Sequence, residues 1–379
     1  MDKVIYLHIG TTKTGTSSIQ SFLYLNRDVL AKKGYSYRRD PVRYDRANKN
    51  RNAMYLNVRK LRWLGKPSDQ QQKKLIAAGL KRVKEQLEHF PAVILTDEGL
   101  WNYFLKTDCK TLKIMKKFAD KNNAALKLIV YFRPQEDWLE SSYKQNIKMY
   151  RNGKDCSDWE TYIHDPGKWP SADYYSGLSR MADIVGRDNM IVRVYDRKRF
   201  IGEKVENDFL QAIGLEPSDE YMIGEEEKNT SLSANFIEVK RILNRLDGVG
   251  NITEKELIHA QSAATDCSED LSGSVSEVFI NPEEKTMVRD KFEEGNQKIL
   301  SEYVHDGERL FSDPKEKPVW DKDNPDLYED TVLMLGYMIL EQEKEIDRLK
   351  KTLYLRLKLY DKCRDLLTRA VHTVTGSPE

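Results

Sequence analysis

Short runs of apolar residues alternate with longer segments in which apolar positions recur every three or four residues. A short apolar run between turn residues predicts a buried strand, and a spacing of three to four predicts an amphipathic helix. The runs that predict strands are 3–9, 92–95, 126–132 and 190–195, and the helical segments are about 17–33, 72–90 and 109–122. Strands that alternate with helices predict an α/β fold with a parallel sheet flanked by helices.

The pattern changes after about residue 216. The residues that follow are polar and mostly helical in pattern, a segment rich in proline and acidic residues covers 313–326, and a long helical pattern occupies about 330–374. We therefore expect three parts, which are an α/β core over 1–215, a helical portion packing on that core over 216–315, and a linker with a long C-terminal helix over 316–379.

The composition restricts the classes of protein to which the chain can belong. Of its 379 residues, 39% are hydrophobic and 32% are charged, and the formal net charge is +1. The apolar fraction is sufficient for a core, and 10% aromatic residues argue against a disordered chain. A net charge this close to zero does not indicate a globally cationic nucleic-acid binder.

Four cysteines lie far apart, at Cys109, Cys156, Cys267 and Cys363. No pair has the close spacing of a zinc site, and so few cysteines in a long chain predict free thiols. No basic segment followed by an apolar run opens the sequence, so we expect no signal peptide. No apolar run has the length of a membrane-spanning helix. These observations together predict a cytoplasmic protein.

A turn rich in glycine and hydroxyl residues follows the first predicted strand. Gly10 and Gly15 would let the backbone wrap around an anion, and the following helix would offer its N–H groups and positive dipole end. Their spacing fits the ATP- and GTP-binding loop G-x-x-x-x-G-K-[ST], but Thr16 stands in the lysine position and the lysine is Lys13. The glycine spacing predicts a P-loop-like sheet, whereas the displaced lysine argues against an ordinary NTPase. A tight turn with hydroxyl caps is the structural alternative.

The segment Lys13-Thr14-Gly15-Thr16 after a first strand resembles the 5′-phosphosulfate-binding loop of the sulfotransferases. These enzymes transfer a sulfuryl group from 3′-phosphoadenosine 5′-phosphosulfate (PAPS) and release 3′-phosphoadenosine 5′-phosphate (PAP). The resemblance implies that the donor is held by the loop and the start of the helix. The residues that it places there are Gly10, Thr12, Lys13, Thr14, Gly15, Thr16 and Ser17.

A second segment, after the third predicted strand, resembles the family's 3′-phosphate-binding segment. Arg133 ends that strand, and Ser141 follows eight residues later. An arginine provides a planar donor fork suited to phosphate, and a serine hydroxyl can complete the contact. Ser142 is an alternative to Ser141, and an ordinary salt bridge is the structural alternative for Arg133. Tyr195, at the end of the fourth strand, resembles the family's adenine-contacting tyrosine or is a buried structural residue.

The resemblance also implies a catalytic group for each side of the transferred sulfur. Lys13 is placed to stabilise charge on the leaving bridge. Carbohydrate and tyrosyl-protein members use a glutamate as general base, and Glu98 after the second strand is similar to it. Asp97 is the alternative base, and helix capping is the structural alternative. His8, just before the loop, is a further catalytic candidate or a hydrogen-bonded spacer. We expect no metal.

A basic segment over residues 37–66 carries ten basic and two acidic residues. Tyr37, Tyr44, Tyr55 and Trp63 are interleaved with them. Such a segment favours an anionic acceptor, for instance a glycan with phosphate or carboxylate groups. RNA binding and a solvated basic surface are the alternatives. We expect a carbohydrate or glycolipid acceptor and no nucleic acid.

The long C-terminal helix has apolar or aromatic residues at every seventh position. They are Ile339, Ile346, Leu353, Tyr360, Leu367 and Val374. Leu335, Leu349, Cys363 and Ala370 supply part of a second seam, which Gln342 and Arg356 interrupt. The pattern predicts packing on the body of the protein or against a partner's helix, with a homo-oligomer as one form. The neighbouring lysines and arginines leave peripheral contact with a membrane surface as a third alternative.

The sequence thus predicts a sulfotransferase that modifies a hydroxyl of a cell-surface polysaccharide precursor or glycolipid. The resemblance covers about residues 1–215 and extends weakly to 229–233 and to Gly295-Asn296. A P-loop kinase is one alternative, although it needs its lysine beside the second glycine and a magnesium-binding partner. A non-catalytic nucleotide-binding protein is the other, and the joint presence of Lys13 and Glu98 argues against it.

Overall fold

A computed structural model of the chain describes most of the sequence. The described residues are 3–39, 50–57, 68–149, 157–224, 232–246, 254–267, 277–312 and 316–375.

The five described strands form one sheet in which every pairing is parallel. The strands are β1 (Lys3–His8), β2 (Tyr35–Ser36), β3 (Ala92–Thr96), β4 (Ala124–Phe132) and β5 (Met190–Val194). Their order is β2-β3-β1-β4-β5, with β1 at the centre. His8 at the end of β1 lies beside Thr96 of β3 and Ile129 of β4, so the segments after these strands start at one edge of the sheet. The parallel α/β fold predicted from the sequence is confirmed.

Helices connect and cover the strands. They are α1 (Thr16–Leu25), α2 (Arg27–Lys32), α3 (Asp69–His89), α4 (Leu100–Lys106), α5 (Lys110–Lys121), α6 (Gln135–Lys148), α7 (Trp159–Ile163), α8 (Tyr174–Val185), α9 (Val205–Ala212), α10 (Ala234–Leu243), α11 (Glu254–Cys267), α12 (Pro282–Ile299) and α13 (Asp326–Thr375). None of the described helices is both long enough and apolar enough to span a membrane.

Alternate residues of the central strands pack into the two faces of the sheet, as the two-residue period of a strand requires. In β1, Ile5 and Leu7 join the core cluster that includes residues of α3, α5 and α8. Tyr6 points the other way, into the cluster built with α1 and α9. Both faces of the sheet are therefore covered, as expected for parallel strands that read as continuous apolar runs.

One predicted helix is interrupted. The pattern over 17–33 predicted a single helix, but the structure has α1 and α2, which are separated at Asn26. The Asn26 amide donates to the carbonyl oxygens of Phe22 (2.9 Å) and Met222 (2.7 Å), and its Oδ1 accepts from the Met222 amide (2.7 Å). The helix is interrupted here because the buried Asn26 side chain forms hydrogen bonds with the backbone of a distant segment.

The chain divides into two compact units. The first comprises residues 1–145, 157–229 and 279–316 and contains the whole sheet. The second comprises 146–156, 230–278 and 317–379, with α10, α11 and α13. Helix α12 thus groups with the sheet and not with α10 and α11. The three-part division at residues 215 and 315 stays a prediction.

Candidate active site

The loop that joins β1 to α1 lies at the carboxyl edge of the sheet, where β3 and β4 flank β1. Its start is attached to β4, because the Thr11 amide donates to the Tyr131 carbonyl oxygen (3.0 Å) and the Tyr131 amide donates to that of Gly10 (2.8 Å). Gly10 has a φ of +112°, and a Cβ there would lie 2.6 Å from the carbonyl oxygen of Glu98. Only glycine permits this approach of two backbones.

The second glycine begins the helix. Gly15 is the N-cap of α1 with a φ of 68°. A Cβ at Gly15 would lie 2.8 Å from Cε2 of Tyr195, so the aromatic ring packs directly on the loop. Glycine carries no capping side chain, which leaves the first-turn N–H groups of α1 to an anion or to water.

Two residues inside the loop fix its shape. Lys13 also has a positive φ, 68°, which is uncommon for a residue with a side chain. Thr14 is buried, and its hydroxyl donates to the carbonyl oxygen of Thr11 (2.7 Å). Thr12 is half-buried and Ser17 is exposed on the first turn of α1. The loop residues predicted to bind the donor therefore form one continuous turn around the helix start.

The structure brings Arg133 to this loop. Arg133 follows β4, and its Nη1 donates to the carbonyl oxygen of Lys13 (3.4 Å). Its Nη2 forms an ion pair with Asp137 one helical turn later (3.2 Å), and the Tyr174 hydroxyl donates to its carbonyl oxygen (3.1 Å). The two segments that resemble the family's phosphate-binding motifs are 120 residues apart in sequence and in contact in space.

The serine of that second segment lies on the helix that follows Arg133. Ser141 and its alternative Ser142 are both half-buried on α6. Their similar burial does not distinguish between them. Tyr195, by contrast, is held at the site: its amide donates to the Phe132 carbonyl oxygen (2.6 Å), and its ring meets that of Phe200 at 5.6 Å.

Glu98 faces the start of α1. The Thr16 hydroxyl donates to Glu98 Oε2, and Arg51 forms an ion pair with Glu98 Oε1. The Glu98 side chain is 18% exposed, whereas that of Arg51 is 8% exposed. A largely buried guanidinium therefore neutralises a carboxylate that would otherwise repel an anion bound at the loop.

Arg51 was not identified as a site residue from the sequence, where it was one of ten basic residues in a long segment. A neighbour holds it in place. Asn52 is buried and bonds the free edge of β3, since its Nδ2 donates to the Ile94 carbonyl oxygen (2.9 Å) and its Oδ1 accepts from the Thr96 amide (2.8 Å). Beyond the end of β2, the Asn52 side chain thus satisfies the backbone hydrogen-bonding groups of β3 that a neighbouring strand would otherwise bond.

Asp97, the alternative base, is fully buried. Its Oδ1 accepts from the Gly99 amide (2.7 Å), and its carbonyl oxygen accepts from the Leu100 amide (3.1 Å). This is the geometry of an Asx turn, in which the carboxylate holds the turn that leads into α4. Of the two neighbouring acids, Asp97 holds the turn and Glu98 contacts the loop helix.

His8 is fully buried beneath the loop. Its Nδ1 lies 2.9 Å from the Thr96 hydroxyl, and its ring meets the edges of Tyr131 and Phe209. Nε2 has no hydrogen-bond partner among the described residues. Burial lowers the pKa of His8 to about 4, against the opposing effect of the Glu98 and Asp97 carboxylates. The imidazole is therefore neutral at neutral pH.

This low pKa predicts a pH dependence of stability. In the unfolded chain His8 takes up a proton near pH 6.5, but in the folded protein only near pH 4, so acid favours unfolding between these values. From about pH 7 to pH 5, protonation of His8 on unfolding should lower the unfolding free energy of the wild type by about 2 kcal/mol. The His8→Gln variant should lack this contribution. Urea titrations at both pH values measure this, with the exposed His89→Gln as control. Equal pH slopes for the wild type and His8→Gln would contradict the prediction.

Several expected contributions lie wholly or partly outside the described residues. Of the basic segment, only residues 37–39 and 50–57 are described, and of residues 229–233 only Leu232 and Ser233. Asn296, in the other weakly resembling piece, exchanges hydrogen bonds with Gln135 (2.7 and 3.1 Å), two residues after Arg133. In the described part of the chain, no three His, Cys, Asp or Glu side chains form a group suited to a metal ion. The expectation of metal-free chemistry stays a prediction.

No protein-family model matches the sequence. A protein of Archaeoglobus fulgidus that is described as uncharacterized is 31% identical over 203 residues, which are 53% of this chain and 51% of that protein. The chain thus spans about half the length of this curated relative.

Among solved structures, the crystal structure of a sulfotransferase from Alicyclobacillus acidocaldarius is similar with a TM-score of 0.34 and 14% sequence identity. The match covers 65% of this chain and 95% of that one.

Proposed function

We propose that this protein is a sulfotransferase. It would transfer a sulfuryl group from PAPS to a hydroxyl of a carbohydrate-type acceptor, such as a polysaccharide precursor or a glycolipid. One observation carries the proposal: Arg133 contacts Lys13 of the loop, and Glu98 accepts a hydrogen bond from Thr16 at the end of the same loop. The two segments that resemble phosphate-binding motifs and the candidate base are thus adjacent at one edge of the sheet.

The loop suits the anionic end of the donor. The first-turn N–H groups of α1 have no side-chain cap at Gly15, so they would bind phosphate or sulfate oxygens in the positive field of the helix. Buried Arg51 is paired with Glu98, but its Nε has no hydrogen-bond partner among the described residues and would be available to an oxygen of the donor. The ring of Tyr195 on Gly15 supplies a flat apolar surface of the kind on which a nucleotide base stacks.

In the proposed reaction, the acceptor oxygen forms a bond to sulfur while the bond between sulfur and the bridging oxygen breaks. The Glu98 carboxylate takes the proton of the acceptor hydroxyl. The electron pair of the broken bond stays on the phosphate of PAP, where the Lys13 ammonium stabilises the negative charge. No metal takes part in this scheme.

The basic segment over residues 37–66 supports an anionic acceptor. Arg38, Arg39 and Arg51 belong to the basic segment that favoured an anionic glycan, and Arg51 lies at the site. We place the reaction on the cytoplasmic side of the cell, with a glycolipid acceptor allowing contact with a membrane surface.

Two measurements test the proposal. Thermal shift with PAP, PAPS and Mg-ATP should show stabilisation by the first two only. Incubation with ³⁵S-labelled PAPS and a panel of glycans and glycolipids should then label an acceptor. Stabilisation by Mg-ATP alone would indicate a P-loop kinase. PAP binding with no transfer to any hydroxyl acceptor, including water, would indicate a non-catalytic nucleotide-binding protein.

Arg133→Ala tests the 3′-phosphate contact. Loss of a charge-assisted contact should weaken PAP binding by about 1.5–3 kcal/mol. Binding of adenosine 5′-phosphosulfate, which lacks the 3′-phosphate, should change much less. Isothermal titration with both nucleotides measures the difference, and exposed Arg27→Ala is the control. Equal losses for the two nucleotides would assign Arg133 to loop support through Lys13, and unchanged binding would remove it from the site.

A further inference from the structure

The C-terminal part of α13 is a long helix surface that nothing in the described structure covers. The start of α13 is packed: Asp330 accepts a hydrogen bond from Asn235 of α10 (2.8 Å), and Met334 is fully buried. From residue 339 to residue 370, however, every residue is exposed. These 32 residues correspond to about 48 Å of helix.

This exposed stretch, which we call the free helix (residues 339–370), is rich in apolar side chains. Leu353, Leu357, Leu359 and Leu367 are 55–67% exposed. So large a continuous apolar surface on a protein marks an interaction site. Within its own compact unit, no described residue covers the free helix.

The spacing of these residues selects a helix as the partner. Ile339, Ile346, Leu353, Tyr360 and Leu367 occupy one position of a seven-residue repeat throughout the free helix. The second seam position holds Gln342, Leu349, Arg356, Cys363 and Ala370. A repeat sustained over more than about four heptads is typical of coiled coils.

The charges select a second copy of the chain in antiparallel orientation. Residues 341–347 contain four acidic residues and one basic residue, whereas 348–369 contain eight basic and two acidic residues. A parallel pair would place basic half beside basic half and Arg356 against its own counterpart in the seam. An antiparallel pair with residues 339–370 in full overlap places the acidic start, 341–347, beside the partner's 362–368, which contain two basic residues and one acidic residue, and so relieves part of the repulsion between like charges.

We propose that two copies of this chain associate through an antiparallel coiled coil of their free helices. With full overlap of residues 339–370, Ile339 faces the partner's Ala370, Ile346 faces the partner's Cys363, and Leu353 faces the partner's Arg356. Glu343 then lies beside the partner's Arg364 at both ends. Leu357, Leu359 and Leu366 flank the seam and widen its apolar strip.

Analytical ultracentrifugation of the full chain tests the association. The wild type should sediment at twice the mass of one chain. Ile346→Asp with Leu353→Asp should raise the dissociation constant more than about 100-fold and yield a monomer. The matched control is Leu340→Asp with Leu355→Asp, which changes two equally exposed apolar residues off the seam and should remain a dimer.

Circular dichroism shows whether each variant keeps its helix and its unfolding transition. A wild-type monomer would overturn the proposal, and so would a control as dissociated as the seam variant. A monomer that floats with anionic lipid vesicles would assign the free helix to a membrane surface instead.

Cross-linking tests the orientation with the full chain. In the antiparallel pair the two Cys363 thiols are about 25 Å apart along the axis, so the wild type should not form a Cys363–Cys363 disulfide with an added oxidant. Ile346→Cys should form a covalent dimer, and peptide mass spectrometry should find residue 346 linked to Cys363. A wild-type Cys363–Cys363 link would overturn the antiparallel arrangement.

Discussion

Lys13→Ala should abolish sulfuryl transfer while the fold survives. Lys13 lies within the Gly10–Gly15 turn, with its carbonyl oxygen bonded by Arg133, so its side chain starts beside the first-turn N–H groups of α1. Removal of a positive charge that stabilises the leaving oxygen should lower turnover by roughly 10²–10³-fold or more. Single-turnover transfer from labelled PAPS measures the loss.

The substitution is well suited to separating chemistry from structure. Lys13 already has a positive φ, so alanine meets the same backbone cost, and the carbonyl contact with Arg133 is retained. The melting temperature should therefore change little, and exposed Lys32→Ala should leave turnover unchanged. Retention of about a tenth or more of the wild-type turnover would remove Lys13 from the chemical step.

The sheet and the loop were predictable because their signals are local. Buried parallel strands read as continuous apolar runs, and the turn between β1 and α1 needs glycine at two positions of positive φ. The meeting of Arg133 with the loop follows from topology, since parallel strands deliver the residues after them to one edge. The strands, the loop and the contact between Arg133 and the loop could therefore be predicted from the sequence.

The remainder depends on partners far away in sequence. Strand β2 has two residues and no period to detect, so its pairing with β3 was not predicted. The break at Asn26 is set by Met222, 196 residues later. Arg51 reaches Glu98 only because Asn52 attaches its segment to β3, and no property of Arg51 itself separates it from the other basic residues nearby.

The choice between Asp97 and Glu98 shows the same limit. Sequence alone left the two acids as alternatives, since both follow the apolar run of β3. Their side chains separate in the structure because Asp97 accepts the Gly99 amide at the start of α4, whereas Glu98 contacts Thr16 and Arg51. This difference gives each acid a distinct expected phenotype.

Glu98→Gln should lower turnover by roughly 10²–10⁴-fold, because the amide keeps the size of the side chain but cannot take a proton. Donor binding should be unchanged or tighter, since loss of the carboxylate leaves the Arg51 charge unopposed beside the loop. If Glu98 only holds Thr16 and Arg51 in place and takes no proton, the expected result is different. Its loss would weaken donor binding and lower the melting temperature in proportion to turnover.

Asp97→Asn is the matched neighbour and should behave in the opposite way. It weakens the turn that leads into α4 at a fully buried position, so it should lower the melting temperature, while the folded fraction keeps near-normal turnover. Turnover, PAP affinity and melting temperature of the two variants, measured side by side, therefore assign the base. If only Asp97→Asn loses turnover, the proton goes to Asp97, and Glu98 serves to hold Arg51 at the loop.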